Sequence, residues 1–126
     1  MPIRLRQDEF ADLVEQALAS LPASFQPYIE NLIVDIQPAP TPKQLADLGL
    51  RRGDRLMGLY QGVPLTEKSS RDTVDWPEQV IIFQRDVEAV CRTRREIVEQ
   101  VRRTVLHEVG HHFGLDEGDL EDLGYG

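Results

Sequence analysis

The chain has little with which to brace itself covalently or to enter a membrane. It holds a single cysteine, Cys91, so an internal disulfide is impossible and a secreted, stapled mini-domain is excluded. A lone Cys reads as a small buried apolar residue. No apolar run approaches the roughly 20 residues that a membrane helix needs. The opening Met1-Pro2-Ile3-Arg4-Leu5-Arg6 meets Gln7, Asp8 and Glu9 before a signal-peptide apolar region can begin. Glycine and proline together number 17, too few and too scattered for low complexity. Positive charge is short as well: 14 Lys and Arg face 22 Asp and Glu, a formal net charge of −8. Phosphate binding needs a net basic face, which argues against nucleic acid as a partner. These absences predict a cytoplasmic protein with neither a membrane nor a nucleic-acid partner.

What is present suits one globular domain over residues 1–126, with 40% hydrophobic and 29% charged residues. The charge is localised. Residues 107–126 hold six acids (Glu108, Asp116, Glu117, Asp119, Glu121, Asp122) and no Lys or Arg, leaving only −2 for the rest. All three histidines, His107, His111 and His112, lie in the same stretch. Imidazoles and carboxylates without a competing cation are the makings of a divalent-metal site. Upstream, Arg92, Arg94, Arg95, Arg102 and Arg103 alternate with Glu96 and Glu99, the pattern of an ion-paired, solvated helix face.

Phe10, Leu13, Val14, Ala17, Leu18 and Leu21 follow the i, i+3, i+4 spacing of an amphipathic helix closed by Pro22. Residues 31–37 are rich in β-branched side chains and stop at Pro38, which predicts a strand. Thr41 is placed to cap a short helix over 43–48, with Gly49 at its end. Strands are predicted at 56–61 and 80–84, separated by a polar loop at 66–75. A short helix is expected over 86–91. Thr93-Arg94-Arg95-Glu96 then matches the S/T-x-x-E capping box, opening a long helix from Arg94 to about Phe113 that Gly114 ends. Asp116 can cap a last helix over 117–123. The order of elements predicts an α+β domain, a small mixed sheet packed against the long helix.

His107-Glu108-Val109-Gly110-His111 reads H-E-x-x-H. Zinc binding needs neutral imidazoles converging on one point, and i, i+4 on a helix puts two of them one turn apart on one face. Glu108, next to the first ligand, lies beside the metal and can take a proton from its water. With Val105 at zero and about 100° per residue, His107 and His111 fall near 200° and 240°. Ile97, Val98, Val101, Val105, Val109 and Phe113 cluster on the opposite, buried side. His112 falls about 20° from the core centre, which predicts a packed histidine. The third ligand is left open: Glu117, which follows the reversal at Gly114, Asp116, one residue nearer but also the expected N-cap, or else Glu121 or water. Mn, Fe, Co or Ni can occupy similar N/O sites.

Residues 107–123 (HEVGHHFGLDEGDLEDL), with 56–65 (LMGLYQGVPL) and 80–83 upstream, resemble the small bacterial zincin-like proteins called minimal zincins. The resemblance implies a compact zincin-like domain in which the sheet packs on the motif helix, without the substrate subdomains of larger proteases. It implies one Zn2+ ion held by His107, His111 and Glu117 or Asp116, with Glu108 as general base. An acid at position 117 departs from the third histidine of metzincins. The expected activity is zinc-dependent hydrolysis of peptide bonds. Tyr60 and Tyr125 are candidate oxyanion donors, and strand 80–84 is a candidate edge for an extended peptide substrate. The alternatives are a catalytically silent zinc- or peptide-binding module, suggested by the chain's small size, and a purely structural zinc site.

Overall fold

The computed structural model describes residues 1–61 and 78–122, apart from the side chains of Glu117 and Asp122. Helix α1 (Gln7–Ala19) buries Phe10, Leu13, Val14 and Ala17, the predicted stripe. A 3-10 turn (Ala23–Phe25) and a single helical turn, α2 (Gln26–Ile29), follow. The sequence pattern does not announce them, since neither has room for a periodic signal. They lead into β1 (Leu32–Gln37). Helix α3 (Pro42–Asp47) is capped as expected: the Gln44 N–H donates to the Thr41 hydroxyl, and the Thr41 N–H donates to the Gln44 side chain.

Strand β2 (Gly58–Gln61) and strand β3 (Glu78–Phe83) come next, then α4 (Gln84–Ala89), α5 (Arg94–His112) and α6 (Glu117–Asp122). The predicted loop at 66–75 lies outside the described residues. So does Tyr125. Among the described residues no helix is long and apolar enough to cross a membrane.

Among the described residues the sheet has the order β1-β3-β2, with β1 parallel and β2 antiparallel to β3. It is a small mixed sheet on a long helix, the predicted α+β architecture. The position of β3 corrects one expectation. Strand 80–84 cannot accept a peptide along its edge, because β3 is central and both its edges are already paired; Gln84 already belongs to α4. Val80, Ile81, Ile82 and Phe83 are all buried, as an apolar run covered on both faces should be.

Helix α5 holds the fold together, touching α1, α4, α6, β2 and β3. It buries Ile97, Val101, Thr104, Val105, Leu106, Val109 and Gly110, an arc wider than one stripe because neighbours lie on several sides. At its start the Glu96 N–H donates to the Thr93 hydroxyl, while the Glu96 carboxylate reaches past Thr93 to the N–H of Arg92. The capping box is thus shifted by one residue on its return half. Arg94 pairs with Glu9 of α1 at 3.0 Å, consistent with a solvated ion-paired face.

The N-terminal arm is tied down by a buried carboxylate. Glu88, 3% exposed, accepts from the Leu5 N–H at 2.9 Å, the Gln84 amide at 3.0 Å and Arg85 at 2.6 Å. Gln84 also donates to the Leu5 carbonyl, and the Ile3 N–H donates to the carbonyl of Cys91. Cys91 lies just past α4 and is buried, which pushes its thiol up to about 11.

The end of α5 is a two-bond reversal. Gly114, at φ 76, lets its own N–H reach the carbonyl of His111 and the Leu115 N–H reach that of Gly110. A side chain at Gly114 would meet open space, so the penalty for adding one is backbone strain alone. Gly114→Ala is expected to cost about 1–2 kcal/mol in thermal or urea unfolding. Parental stability in that variant would show that the turn tolerates the left-handed conformation without glycine.

Candidate metal centre

His107 and His111 occupy the last two turns of α5, on the side away from α5's buried stripe. Their rings are 5.8 Å apart between centroids and 25° from parallel. Zn–N bonds of about 2.0–2.1 Å put two imidazoles bound to one ion about 5–6 Å apart between centroids, so the separation of this pair is in the range of a shared divalent ion. The carbonyl end of a helix carries partial negative charge, which favours a cation there. His107 is half-buried with its Nε2 enclosed, and His111 is exposed.

Glu108 faces the sheet. Its Oε1 accepts from the backbone N–H of Tyr60 on β2 at 3.1 Å. The register explains why that N–H is available. The Phe83 N–H donates to the Met57 carbonyl, so alternate residues from Met57 point their backbone groups at β3, while Gly58 and Tyr60 point theirs outward. Glu108 therefore sits on the edge of β2 that is unpaired among the described residues, and it does so through Oε1.

Two glycines bring α5 this close to its neighbours. A Cβ on Gly58 would collide with the Thr104 methyl group of α5, and a Cβ on Gly110 would come within 2.8 Å of Leu120 on α6. The spacing of the motif alone does not single out these two glycines. Their signal was available: isolated glycines inside a strand and a helix often mark close approach.

His112 does not join the core as expected. Its side chain is 40% exposed, stacked on the Tyr60 ring at 4.0 Å between centroids, with Nε2 3.5 Å from Glu78 Oε1. The helical angle was right, but His112 is the last residue of α5 and the core ends before it. Phe113, placed on the same stripe, is 43% exposed and meets Tyr28 and His112 edge-on. The Tyr60 hydroxyl is buried beside Glu78, and burial followed by that carboxylate raises its pKa, keeping it a neutral phenol.

Of the candidates for a third ligand, Asp116 sits at the N-terminus of α6. It accepts from the Asp119 N–H at 2.8 Å while its own N–H donates to Asp119 at 3.0 Å. This is the capping role expected of it. Glu117 is the first residue of α6. Among the described residues, no group of three His, Cys, Asp or Glu is gathered closely enough to hold a metal ion. A separate cavity of about 730 Å³, lined by Pro40, Pro42, Leu45, Leu50, Arg52 and Asp86, lies beyond the other end of β3.

The sequence profile of the zincin-like metallopeptidase family matches residues 29–126. The fold is similar to that of a conserved hypothetical protein from Thermo thermophilus, with a TM-score of 0.56 and 21% identity over 86% of this chain and 94% of that one. No curated protein matches.

Proposed function

The chain belongs to the zincin-like metallopeptidase family, and from that membership we propose that it is a zinc-dependent peptidase acting through the HExxH helix. His107 and His111 are the two imidazole ligands and Glu117 the third, since one carboxylate oxygen of Asp116 already caps α6. Zinc held there, in a two-His, one-acid site, would supply a water with its pKa lowered to about 7 and a Lewis acid for the scissile carbonyl. Glu108 takes the proton from the attacking water and returns it to the leaving amine. The backbone N–H of Tyr60 pins Glu108 Oε1, so Oε2 is the oxygen that works on the water.

The observation that carries the reading is this contact between Glu108 and the edge of β2 that is unpaired among the described residues. It joins the proton acceptor to the edge beside the imidazoles along which an extended peptide can pair, through the outward groups of Gly58 and the Tyr60 carbonyl. Tyr60 thus serves through its backbone, and its phenol is assigned to packing with His112 and Glu78. The compartment we propose is the cytoplasm, where a single reduced cysteine is ordinary.

The test is cleavage of a peptide library by the full chain, with zinc, after chelator, and after zinc is restored. Loss with chelator and recovery with zinc is the expected result. Cleavage that ignores chelator overturns the proposal, and one bound zinc without cleavage of any peptide favours a silent binding module.

A further inference from the structure

Resting on the metal reading above, we propose that Gly110 and Leu120 are positioning residues for that metal: they form the seat that sets α6, and hence the third ligand, against the two imidazoles. Gly110 lies inside the motif, between Glu108 and His111, in regular right-handed helix. It is not there for backbone freedom. Glycine weakens a helix interior relative to alanine, so its use here needs another cause. The cause is visible in its surroundings. Leu120 is fully buried, and a Cβ on Gly110 would lie 2.8 Å from its Cδ2, 3.4 Å from its Cδ1 and 3.5 Å from its Cγ. The leucine caps the bare backbone of the motif helix.

Gly110 holds the returning chain at a second point. Its carbonyl accepts from the Leu115 N–H at 2.8 Å, the bond that closes the reversal after α5. One residue therefore fixes both the exit of the motif helix and the resting place of the helix that follows. Helix α6 has six residues, too few to be stable alone, so its position depends on these contacts and on the Asp116–Asp119 cap. Glu117 and Leu120 are three residues apart, one turn of that helix. Two imidazoles do not complete a catalytic zinc site, which uses three protein ligands. Moving Leu120 moves the third.

The experiment measures zinc affinity of the full chain by competition with a chromophoric chelator, together with the visible spectrum of the Co(II)-loaded form and the unfolding temperature of the metal-free form. Gly110→Ala is expected to weaken zinc binding by about 10–100-fold, the range for groups that orient ligands. It should also alter the Co(II) bands, while the metal-free chain still folds. Leu120→Val added to Gly110→Ala returns the lost space and should recover most of the affinity and the parental spectrum.

A purely structural seat would lower the unfolding temperature and leave the Co(II) spectrum unchanged, which overturns the proposal. So does a double variant without recovery. If the parent binds zinc and His111→Ala loses it, an unaffected Gly110→Ala removes the seat and leaves the metal reading standing. A parent that binds no zinc removes both.

Discussion

Glu108→Gln is expected to lower peptide turnover by about 10²–10⁴-fold, the usual contribution of a positioned general base. Zinc content and unfolding temperature should stay near parental values. The substitution is informative because the amide keeps an oxygen that can accept from the Tyr60 N–H, as Oε1 does now. What it loses is the negative charge and the ability to take a proton from water. Glu108→Ala should lose the same turnover and also the anchor on β2, lowering stability by about 1 kcal/mol. The pair of variants separates the chemistry from the hold on the strand. Parental turnover in Glu108→Gln would sink the assignment of the base, whatever the metal content.

Glu88→Ala is expected to lower stability by about 3 kcal/mol. Glu88 is 3% exposed and accepts from Leu5, Gln84 and Arg85. Removing it strands the buried N–H of Leu5, takes one of the two partners of the Gln84 amide and loosens the arm ahead of α1. The Arg85 contact adds less, because its side chain is 39% exposed and screened by water. Domains of this size are stable by about 5–15 kcal/mol, so the loss is a large share. In thermal unfolding it corresponds to about 10 °C. Glu88→Gln keeps the shape and an acceptor for Leu5, and should cost about half as much. A change below about 0.5 kcal/mol for Glu88→Ala would show that the arm is held by its apolar contacts alone.

The parts of the fold legible in the sequence are those governed by local rules. The α1 stripe, the Thr41 cap, the span of α5 and the stop at Gly114 all depend on residues within a few positions of each other. Tertiary context decided the rest. A helical wheel gives the direction of His112 but not the point where burial along α5 ends, which is Gly110, two residues before it. Strand 80–84 was recognisable as a strand, but its place in the sheet depends on β1 pairing with it across more than forty residues. The unbroken apolar run Val80-Ile81-Ile82-Phe83 did carry the signature of a central strand. Helix α4 starts two residues before the predicted Asp86, whose carboxylate instead accepts from the Leu56 N–H. At the candidate centre the imidazole pair and Glu108 were legible from spacing. The bond from Tyr60 to Glu108 joins residues 48 apart and could not be read from either segment.

The match to the family begins at residue 29, after α1 has ended at Ala19. Yet Phe10, Leu13, Val14 and Ala17 belong to the same buried cluster as Ile97, Val101 and Val105 of the motif helix. The segment that carries the chemistry is therefore not a portable unit. Excised at the family boundary, it would keep both imidazoles and lose the cover over the opposite side of their helix. Two kinds of constraint thus act on one helix, face by face. The side bearing His107 and His111 answers, in the function proposed above, to metal and substrate. The side turned to α1 answers to the apolar residues Phe10, Leu13, Val14 and Ala17 that cover it.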